Sequence, residues 1–372
     1  MTLPRIWVDD PVQLEQLCNQ WQQQQELAMD TEFIRTDTFY PKPALLQVSD
    51  GQTCYLLDVL KLGKAEALRR LLTSGPQKIF HSCSEDLEML AHWLGVLPQP
   101  LIDTQLAAAL VEQETGIGYQ RLVERFLGIV LEKGETRSDW LQRPLTESQQ
   151  KYAAQDVEFL LPAWHLLKEK LLQQDLLQLL EEESQWLVTD ADPVPEDAWL
   201  RCKQAWRLNS RQLAVLQQLA LWREEKARQL NRPRSRVASD NLLQSLAEHQ
   251  PQHLAAFTGI EEATPGWIKR YGQDILNCIE AVASWPDNAL PAVLVSPMSQ
   301  EYKTQRKALK KELDGLATSL QVPVELLARR RYVDEWTQAL SLGQTPEVPE
   351  GWPDWRRVPL EALMQDLSEK KG

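Results

Sequence analysis

Two carboxylates near the start of the chain have the type and spacing for chemistry. Asp30 and Glu32 lie two residues apart in the apolar stretch MDTEFI, which predicts a strand. Side chains alternate between the two faces of a strand, so both carboxylates leave the same face. Such a pair is costly to bury as bare charges, and we expect positive charge beside it. Taken alone, the pair is more typical of a strand end whose acids reach solvent or bind backbone amides.

Three further polar residues come from helical patterns. Tyr152 and Asp156 in KYAAQD are four residues apart, so they share one helical face. Asp86 in HSCSEDLEML falls in the first turn of a helix that follows a buried strand. Each has an ordinary explanation, which is a surface pair for the first two and compensation of the helix dipole for Asp86. Asp103 in LIDT competes with Asp86 as a fourth acid.

Together the acids indicate a site for divalent cations. Asp30, Glu32, Asp86 and Asp156 come from three elements and could converge at one edge of a sheet. Such a cluster repels itself unless cations neutralise it, and oxygen ligands favour Mg²⁺ or Mn²⁺. Two ions about 3.5 to 4 Å apart can activate a water and stabilise the leaving oxygen. Phosphodiester hydrolysis is the chemistry that suits this arrangement.

The apolar pattern predicts the elements that position these acids. Asp50-Gly51 is a strong hairpin signal between two strands, and Ser84 and Gly95 are the predicted cap and stop of a helix. The alternation of strands and helices predicts a mixed sheet with helices on its faces. The predicted elements are strands at 26–34, 44–50 and 53–59, a helix at 64–74, a strand at 78–82, a helix at 84–95, and helices from 104 onward.

The remainder of the chain is predicted to be helical. Thr146 with Gln149 three residues later predicts a capping box, which opens a long helical segment that continues to about Leu180. The acidic, proline-containing stretch 190–199 predicts a linker. Beyond it apolar residues recur at helical spacing, with a second proline-rich break between two modules. The predicted domains are 1–190, 201–288 and 295–372.

Composition excludes several classes of protein. Of the 372 residues 43% are hydrophobic, too many for intrinsic disorder, and no apolar run approaches the ~18 to 20 residues that span a bilayer. The N-terminus MTLPRIWVDD has no apolar core of a secretory signal, so a cytoplasmic location is the default expectation. The five cysteines are too far apart for a zinc knuckle and odd in number for a disulfide framework.

Charge is segregated along the chain. The formal net charge of -13 argues against a protein that coats nucleic acid indiscriminately. Residues 1–200 hold 16 Lys+Arg against 32 Asp+Glu, residues 201–285 hold 12 against 8, and residues 286–372 hold 12 against 13. An acidic N-terminal half would bind phosphates only if its carboxylates held cations.

The order of these motifs resembles the DEDD exonuclease family, in its tyrosine-bearing subgroup. MDTEFIR, IFHSCSEDLEML, LIDTQ, LGIVLEKGETRSDWLQRPLT and YAAQDVEFLL are similar to landmarks of that family and cover most of residues 25–165. The resemblance implies a ribonuclease H-like α/β exonuclease domain. It also implies that Tyr152 orients the attacking water, as a hydrogen-bond partner rather than a base, since its ordinary pKa near ~10 keeps it protonated. The metal ligands that it implies, for two Mg²⁺ or Mn²⁺ ions, are Asp30, Glu32, Asp86 and Asp156.

Other residues of these motifs have two interpretations each. His81, on the apolar strand IFHS, is more typical of a core or supporting histidine than of a ligand. Trp140, Arg143 and Pro144 in SDWLQRP could shape the product side of the site, although packing explains Trp140 equally well. Lys133 could touch a phosphate or be a solvated loop charge.

A basic segment follows the linker. REEKARQLNRPRSRVASDNLL places Arg228, Arg232, Arg234 and Arg236 within nine residues. This segment resembles the HRDC domain found in RecQ-type helicases, which implies a module that binds phosphate backbones. A solvated loop on a helical bundle explains any single arginine equally well.

Residues 299–372 resemble a second, degenerate HRDC-like module. Its net charge near zero does not favour contact with nucleic acid. The cations of its first helical stretch are Lys303, Arg306, Lys307, Lys310 and Lys311.

The resemblance implies a 3′-to-5′ exoribonuclease that releases nucleoside 5′-monophosphates. The implied substrates are tRNA precursors with 3′ trailers and other small structured RNAs with a free 3′ end. Neither a membrane nor an obligate protein partner is indicated. Two alternatives stay open: a DNA 3′-to-5′ exonuclease of the RecQ-associated type, and a nucleic-acid-binding protein that has lost catalysis. Retention of the four acids and Tyr152 weighs against the second, and the absence of a GxxxxGK[ST] phosphate loop weighs against a helicase.

Overall fold

A six-stranded mixed sheet forms the centre of the N-terminal part of the protein. The computed structural model describes residues 2–132, 134, 138–189, 198–200, 202 and 204–369. The strands lie in the order β1-β4-β3-β2-β5-β6, with β2 antiparallel to β3 and parallel to β5. Their bounds are β1 (Arg5–Val8), β2 (Glu26–Ile34), β3 (Lys42–Ser49), β4 (Cys54–Leu57), β5 (Gln77–Phe80) and β6 (Leu101–Asp103).

Helices cover both faces of the sheet and make up the C-terminal half. In the N-terminal half they are α1 (Pro11–Trp21), α2 (Val59–Leu62), α3 (Glu66–Thr73), α4 (Ser84–Leu94), α5 (Thr104–Glu112), α6 (Tyr119–Leu127), α7 (Glu147–Glu158), α8 (Leu160–Gln173) and α9 (Leu177–Thr189). Those that follow are α10 (Ser210–Leu230), α11 (Arg234–Val237), α12 (Asp240–His249), α13 (Pro265–Ala283), α14 (Gln300–Leu320), α15 (Val324–Leu327), α16 (Arg330–Ser341) and α17 (Asp354–Glu369). The predicted fold class, a mixed sheet domain followed by helical modules, is confirmed.

Local turn chemistry accounts for the predicted hairpin. β3 and β4 pair antiparallel, with Ser49 opposite Cys54. Between them Asp50 Oδ1 accepts hydrogen bonds from the backbone of Gln52 and Thr53, each at 2.9 Å. Gly51 has φ +84°, a conformation that glycine adopts without strain.

The start of α4 differs from the prediction. Ser84 is its first residue, and the cap position belongs to Cys83, which makes no side-chain capping bond. In the turn before α4, the hydrogen-bond acceptor is the carboxylate of Asp103. It accepts from the backbone N–H groups of Ser82 and Cys83, at 2.9 and 3.0 Å. Gly95 ends α4 in the left-handed conformation, as predicted.

The long helical segment opened at Thr146 is three helices rather than one. The capping box between Thr146 and Gln149 is present. The helix ends at Phe159, whose ψ is 1°, and α8 ends before Asp175, whose φ is +57°. Apolar periodicity shows which face of a segment is buried and does not show whether its backbone is continuous, so the breaks within the predicted helical segment were not foreseen.

Three hydrophobic clusters hold these layers together. One face of the sheet packs against α1, α3 and α4 through residues such as Met29 and Leu90. The opposite face packs against α5 to α9, and its cluster continues without a break into Trp336 of α16 and Trp352, which lies just before α17. A third cluster lies within α10 to α13 and includes Phe39 of the N-terminal part. The predicted domain boundaries stay a prediction, since the last module shares a core with the sheet domain.

The described helices give no membrane span. Across residues 2–132, 138–189 and 204–369, no helix combines the length and the apolar character needed to cross a bilayer.

Candidate active site

Three of the predicted carboxylates meet on one face of the sheet. Asp30 and Glu32 leave β2 on the face that α7 covers, and α7 carries Asp156. One carboxylate oxygen of each lies within 4.8 Å of the other two, and all three residues are half-buried. Among the described residues, this is the group of His, Cys, Asp and Glu atoms with the spacing to hold a metal ion.

Asp86 reaches the site from the other face of the sheet. β5 pairs with β2 only over Glu26–Ala28, so the edge of β2 beyond residue 28 is open on that side. α4 follows β5 and places Asp86 in its first turn at this edge. The carboxylate of Asp86 is buried and accepts a hydrogen bond from the hydroxyl of Thr31, the residue between the two acids of β2. Sequence reasoning missed Thr31, although its position inside the DTE motif was a signal.

The four carboxylates raise one another's pKa. Burial, followed by the charges of Asp30, Asp156 and Asp86, raises the pKa of Glu32 to about 10. Burial raises the pKa of Asp156 to about 8, against the lowering effect of a hydrogen bond with Tyr152. Burial and a neighbouring carboxylate raise the pKa of Asp30 and of Asp86 well above the ordinary value. The cluster therefore binds protons or cations at neutral pH, and a set of oxygen donors suits Mg²⁺ or Mn²⁺.

Tyr152 lies one helical turn before Asp156 and is hydrogen-bonded to it. Burial and the nearby acids raise its pKa, so the phenol stays protonated. Its ring lies 6.1 Å from the ring of Trp140, measured between centroids. The backbone of Gly134 lies against the same ring, so that a Cβ there would come within 1.8 Å of two ring carbons. Sequence reasoning missed Gly134, whose contact partner lies 18 positions away in the chain.

Asp103, the alternative fourth acid, is engaged by the backbone. Its carboxylate accepts hydrogen bonds from the backbone N–H groups of Ser82 and Cys83 and, at 2.7 Å, from that of Gln105. The bond from Gln105 caps α5. These bonds fix the loop between β5 and α4. Asp103 thus supports the position of Asp86, and the structure favours Asp86 as the fourth acid.

The remaining candidates of this domain make structural contacts. The two ring nitrogens of His81 lie 2.9 Å from the Thr104 hydroxyl and 3.0 Å from the Ile117 carbonyl, and burial lowers its pKa. Arg143 donates to Asp58 at 2.8 Å and to the Ala44 carbonyl at 2.7 Å. Trp140 is buried, in accord with packing. These contacts favour the core interpretation of His81 and a sheet-supporting role for Arg143. Pro144 follows Arg143 in the chain. Lys133 lies outside the described residues.

The four arginines of the basic segment divide into two pairs. Arg228 and Arg234 form ion pairs with Glu224 and lie over the ring of Phe39. Arg232 and Arg236 are exposed to solvent. Contact of all four with nucleic acid stays a prediction, and the geometry favours the exposed pair.

Comparisons with known proteins identify two parts of the chain. Residues 5–172 match the family described as 3′-5′ exonuclease, and residues 212–279 match the HRDC domain. That exonuclease family is metal-dependent, in agreement with the acidic cluster.

Curated relatives cover nearly the whole chain. Ribonuclease D of Pseudomonas paraeruginosa is 38% identical over 99% of this chain and 99% of its own length. Ribonuclease D of a Shewanella species is 38% identical over 93% of this chain and 90% of its own. The crystal structure of Escherichia coli RNase D, described as an exoribonuclease involved in structured RNA processing, has a TM-score of 0.85 and 32% identity and covers 99% of both chains. The chain belongs to the ribonuclease D family.

Proposed function

We propose that this protein is a 3′-to-5′ exoribonuclease that uses two divalent metal ions and releases nucleoside 5′-monophosphates. The observation that carries the proposal is the meeting of Asp30, Glu32 and Asp156 within 4.8 Å, with Asp86 at the adjoining edge of β2. Their oxygen atoms would hold Mg²⁺ or Mn²⁺. When bound, such ions neutralise the phosphate and supply an activated water at neutral pH.

The protein's own groups orient the reactants. Tyr152 is protonated, donates its O–H to Asp156 and lies beside Trp140, so its phenol oxygen would orient the attacking water by accepting a hydrogen bond from it. Thr31 holds the carboxylate of Asp86, and Asp103 holds the turn before it. The raised pKa values mean that cations and protons compete for the same oxygens, so binding of metal releases protons.

The substrate that we infer is RNA with a free 3′ end. Relatives at 38% identity bear the name ribonuclease D, and the Escherichia coli enzyme is described as acting in structured RNA processing. We extend this to tRNA precursors and other small structured RNAs. The exposed Arg232 and Arg236 would attract the phosphate backbone. A cytoplasmic location and activity without an obligate protein partner belong to the same proposal.

Matched RNA and DNA strands test the proposal against a DNA exonuclease. Each strand carries a label at its 5′ end and is incubated with Mg²⁺ or with a chelator. We expect stepwise shortening of the RNA from its 3′ end in Mg²⁺ alone, and little shortening of the DNA.

Two variants identify the active site in the same assay. Asp156→Asn should lose the activity, whereas Asp175→Asn removes an equal charge from an exposed turn and should keep it. Faster turnover of DNA would support the DNA alternative. Binding of RNA without metal-stimulated cleavage would support the non-catalytic one.

A further inference from the structure

The connection between β2 and β3, residues 35–41, lies along one face of α4. Arg35 donates two hydrogen bonds to the Glu88 carboxylate, at 2.6 and 2.7 Å. The ring of Tyr40 stacks on His92, with 3.9 Å between centroids and 2° between planes. Glu88 and His92 are one turn apart on α4, so the connection is attached to that helix at two successive turns.

The HRDC segment holds the same connection from its other side. Asn231, which ends α10 with φ +47°, accepts hydrogen bonds at its Oδ1 from the backbone N–H of Phe39 and of Tyr40, at 3.1 and 3.0 Å. The ring of Phe39 is 3% exposed, and the guanidinium carbons of Arg228 and Arg234 lie 5.1 and 4.5 Å from its centroid. The HRDC segment thus contacts the tip of the connection at its backbone and at the side chain of Phe39.

Glu224 fixes the two arginines of this contact. Its carboxylate is 2% exposed and accepts hydrogen bonds from Arg228 at 3.2 Å and from Nη2 of Arg234 at 2.7 Å. A guanidinium held in this way over an aromatic ring is partly desolvated, which strengthens its attraction to the ring. The two cations therefore attach the helical segment to the nuclease domain.

We propose that Asn231 and Phe39 are positioning residues for the metal-binding acids. β2 carries Asp30 and Glu32, α4 carries Asp86, and the connection is attached to both elements. By holding the connection against α4, the HRDC segment keeps the two elements in register. This inference rests on the proposed function. Positioning matters for catalysis because a displacement of about 1 Å in a catalytic group can lower a rate by up to ~100-fold.

Variants of the full-length protein test the inference. Asn231→Gly removes the acceptor and keeps the left-handed backbone, which glycine adopts freely. Gln229→Ala is the matched control, because it changes an exposed residue in the last turn of α10 that is not assigned to any site. The readouts are kcat and KM on a three-nucleotide RNA, which offers few phosphates to the helical segment, and the affinity for Mn²⁺ measured by calorimetry without RNA.

The positioning role predicts a specific pattern. Asn231→Gly should lower kcat on the short RNA about tenfold with little change in KM, and should weaken Mn²⁺ binding several-fold. Gln229→Ala should leave both values unchanged. Asn231→Asp, which keeps the acceptor oxygen, should restore most of kcat.

Wild-type kcat and Mn²⁺ affinity in Asn231→Gly would overturn the inference. Should that variant fail to fold, as judged by circular dichroism, Phe39→Leu provides the same comparison and must show the same losses. If the wild-type protein degrades no RNA, the proposed function fails, and the Mn²⁺ affinities still decide the positioning role.

Discussion

At the residue scale, the site contains more negative charge than its surroundings neutralise. Asp30, Glu32, Asp86 and Asp156 all have pKa values raised mainly by burial. The folded state therefore retains protons that the unfolded chain releases above about pH 4. Stability consequently falls as the pH rises from about 4 toward the folded pKa values of about 8 for Asp156 and about 10 for Glu32.

A neutral substitution in the cluster should stabilise the metal-free protein. In chelator at pH 8, we expect Asp30→Asn to raise the free energy of unfolding by about 1 to 2 kcal/mol, because it removes one repelling carboxylate. The gain should shrink as the pH falls and vanish below about pH 4, where the acids become protonated in both states. Denaturant unfolding at several pH values measures this gain in the free energy of unfolding. In Mn²⁺ the wild-type protein should instead be more stable than Asp30→Asn. A loss of stability in chelator at pH 8 would contradict the repulsion.

Gly134 should be required for the position of Tyr152. A Cβ at this residue would collide with the tyrosine ring, so Gly134→Ala should lower kcat by about 10 to 100-fold with little effect on thermal stability. Gly118→Ala is the control, because nothing lies within 4 Å of its added Cβ. Normal kcat in Gly134→Ala would show that the ring is free to move without consequence.

The acids could be predicted from the sequence, whereas their supports could not. The spacing of Asp30 and Glu32 on a strand places both side chains on one face, and the spacing of Tyr152 and Asp156 does the same on a helix. Each spacing spans only a few residues of the chain. Thr31 binds a carboxylate 55 positions away, and Gly134 meets a ring from another element. Contacts between distant segments leave no periodic signal in a single sequence.

At the element scale, the loop between β5 and α4 determines where Asp86 lies. Asp103 accepts three backbone hydrogen bonds, from Ser82, Cys83 and Gln105. Buried donors that lose their acceptor cost about 1 to 3 kcal/mol each. This loop is therefore both a stability determinant and a support of the site.

Removal of the Asp103 carboxylate should affect stability and catalysis together. We expect Asp103→Ala to lower the free energy of unfolding by about 2 to 4 kcal/mol and to reduce kcat at temperatures where the protein stays folded. Glu85→Ala, at an exposed acid in the first turn of α4, should cost less than about 1 kcal/mol. Denaturant unfolding and single-turnover rates provide the measurements, and equal costs for the two variants would contradict the role of Asp103.

Element prediction succeeded where local chemistry determines the structure. The Asp50-Gly51 hairpin and the Thr146 capping box both depend on residues that are adjacent or three apart. β1 and β6, of four and three residues, were not predicted, because such short strands hold too few residues to show alternation. Their pairing with β4 and β5 comes from the assembled sheet.

At the scale of the whole molecule, the C-terminal helices are part of the core of the sheet domain. Arg356 of α17 and Glu183 of α9 are each 1% exposed, and their side chains lie 3.3 Å apart. The guanidinium of Arg356 lies 4.1 Å from the ring centroid of Trp352 and 4.4 Å from that of Trp186. This arrangement could not be predicted from the sequence, because the partners lie far apart in the chain.

Breaking this buried pair should destabilise both parts at once. Arg356→Leu leaves the Glu183 carboxylate without its buried partner, and we expect a loss of about 3 to 5 kcal/mol. Arg357→Leu, which removes only surface ion pairs with Asp354 and Glu361, should cost less than about 1 kcal/mol. Calorimetry should show the main transition of Arg356→Leu shifted to lower temperature. An unshifted transition would mean that the C-terminal helices do not share the core.

Crystals soaked in Mn²⁺ test the central claim most directly, namely that the four carboxylates hold divalent ions. Anomalous scattering should show two peaks, with ligands among Asp30, Glu32, Asp86 and Asp156, and Asp156→Asn should weaken or remove at least one of them. Full Mn²⁺ occupancy elsewhere on the protein, with no peak among these four side chains, would contradict the account.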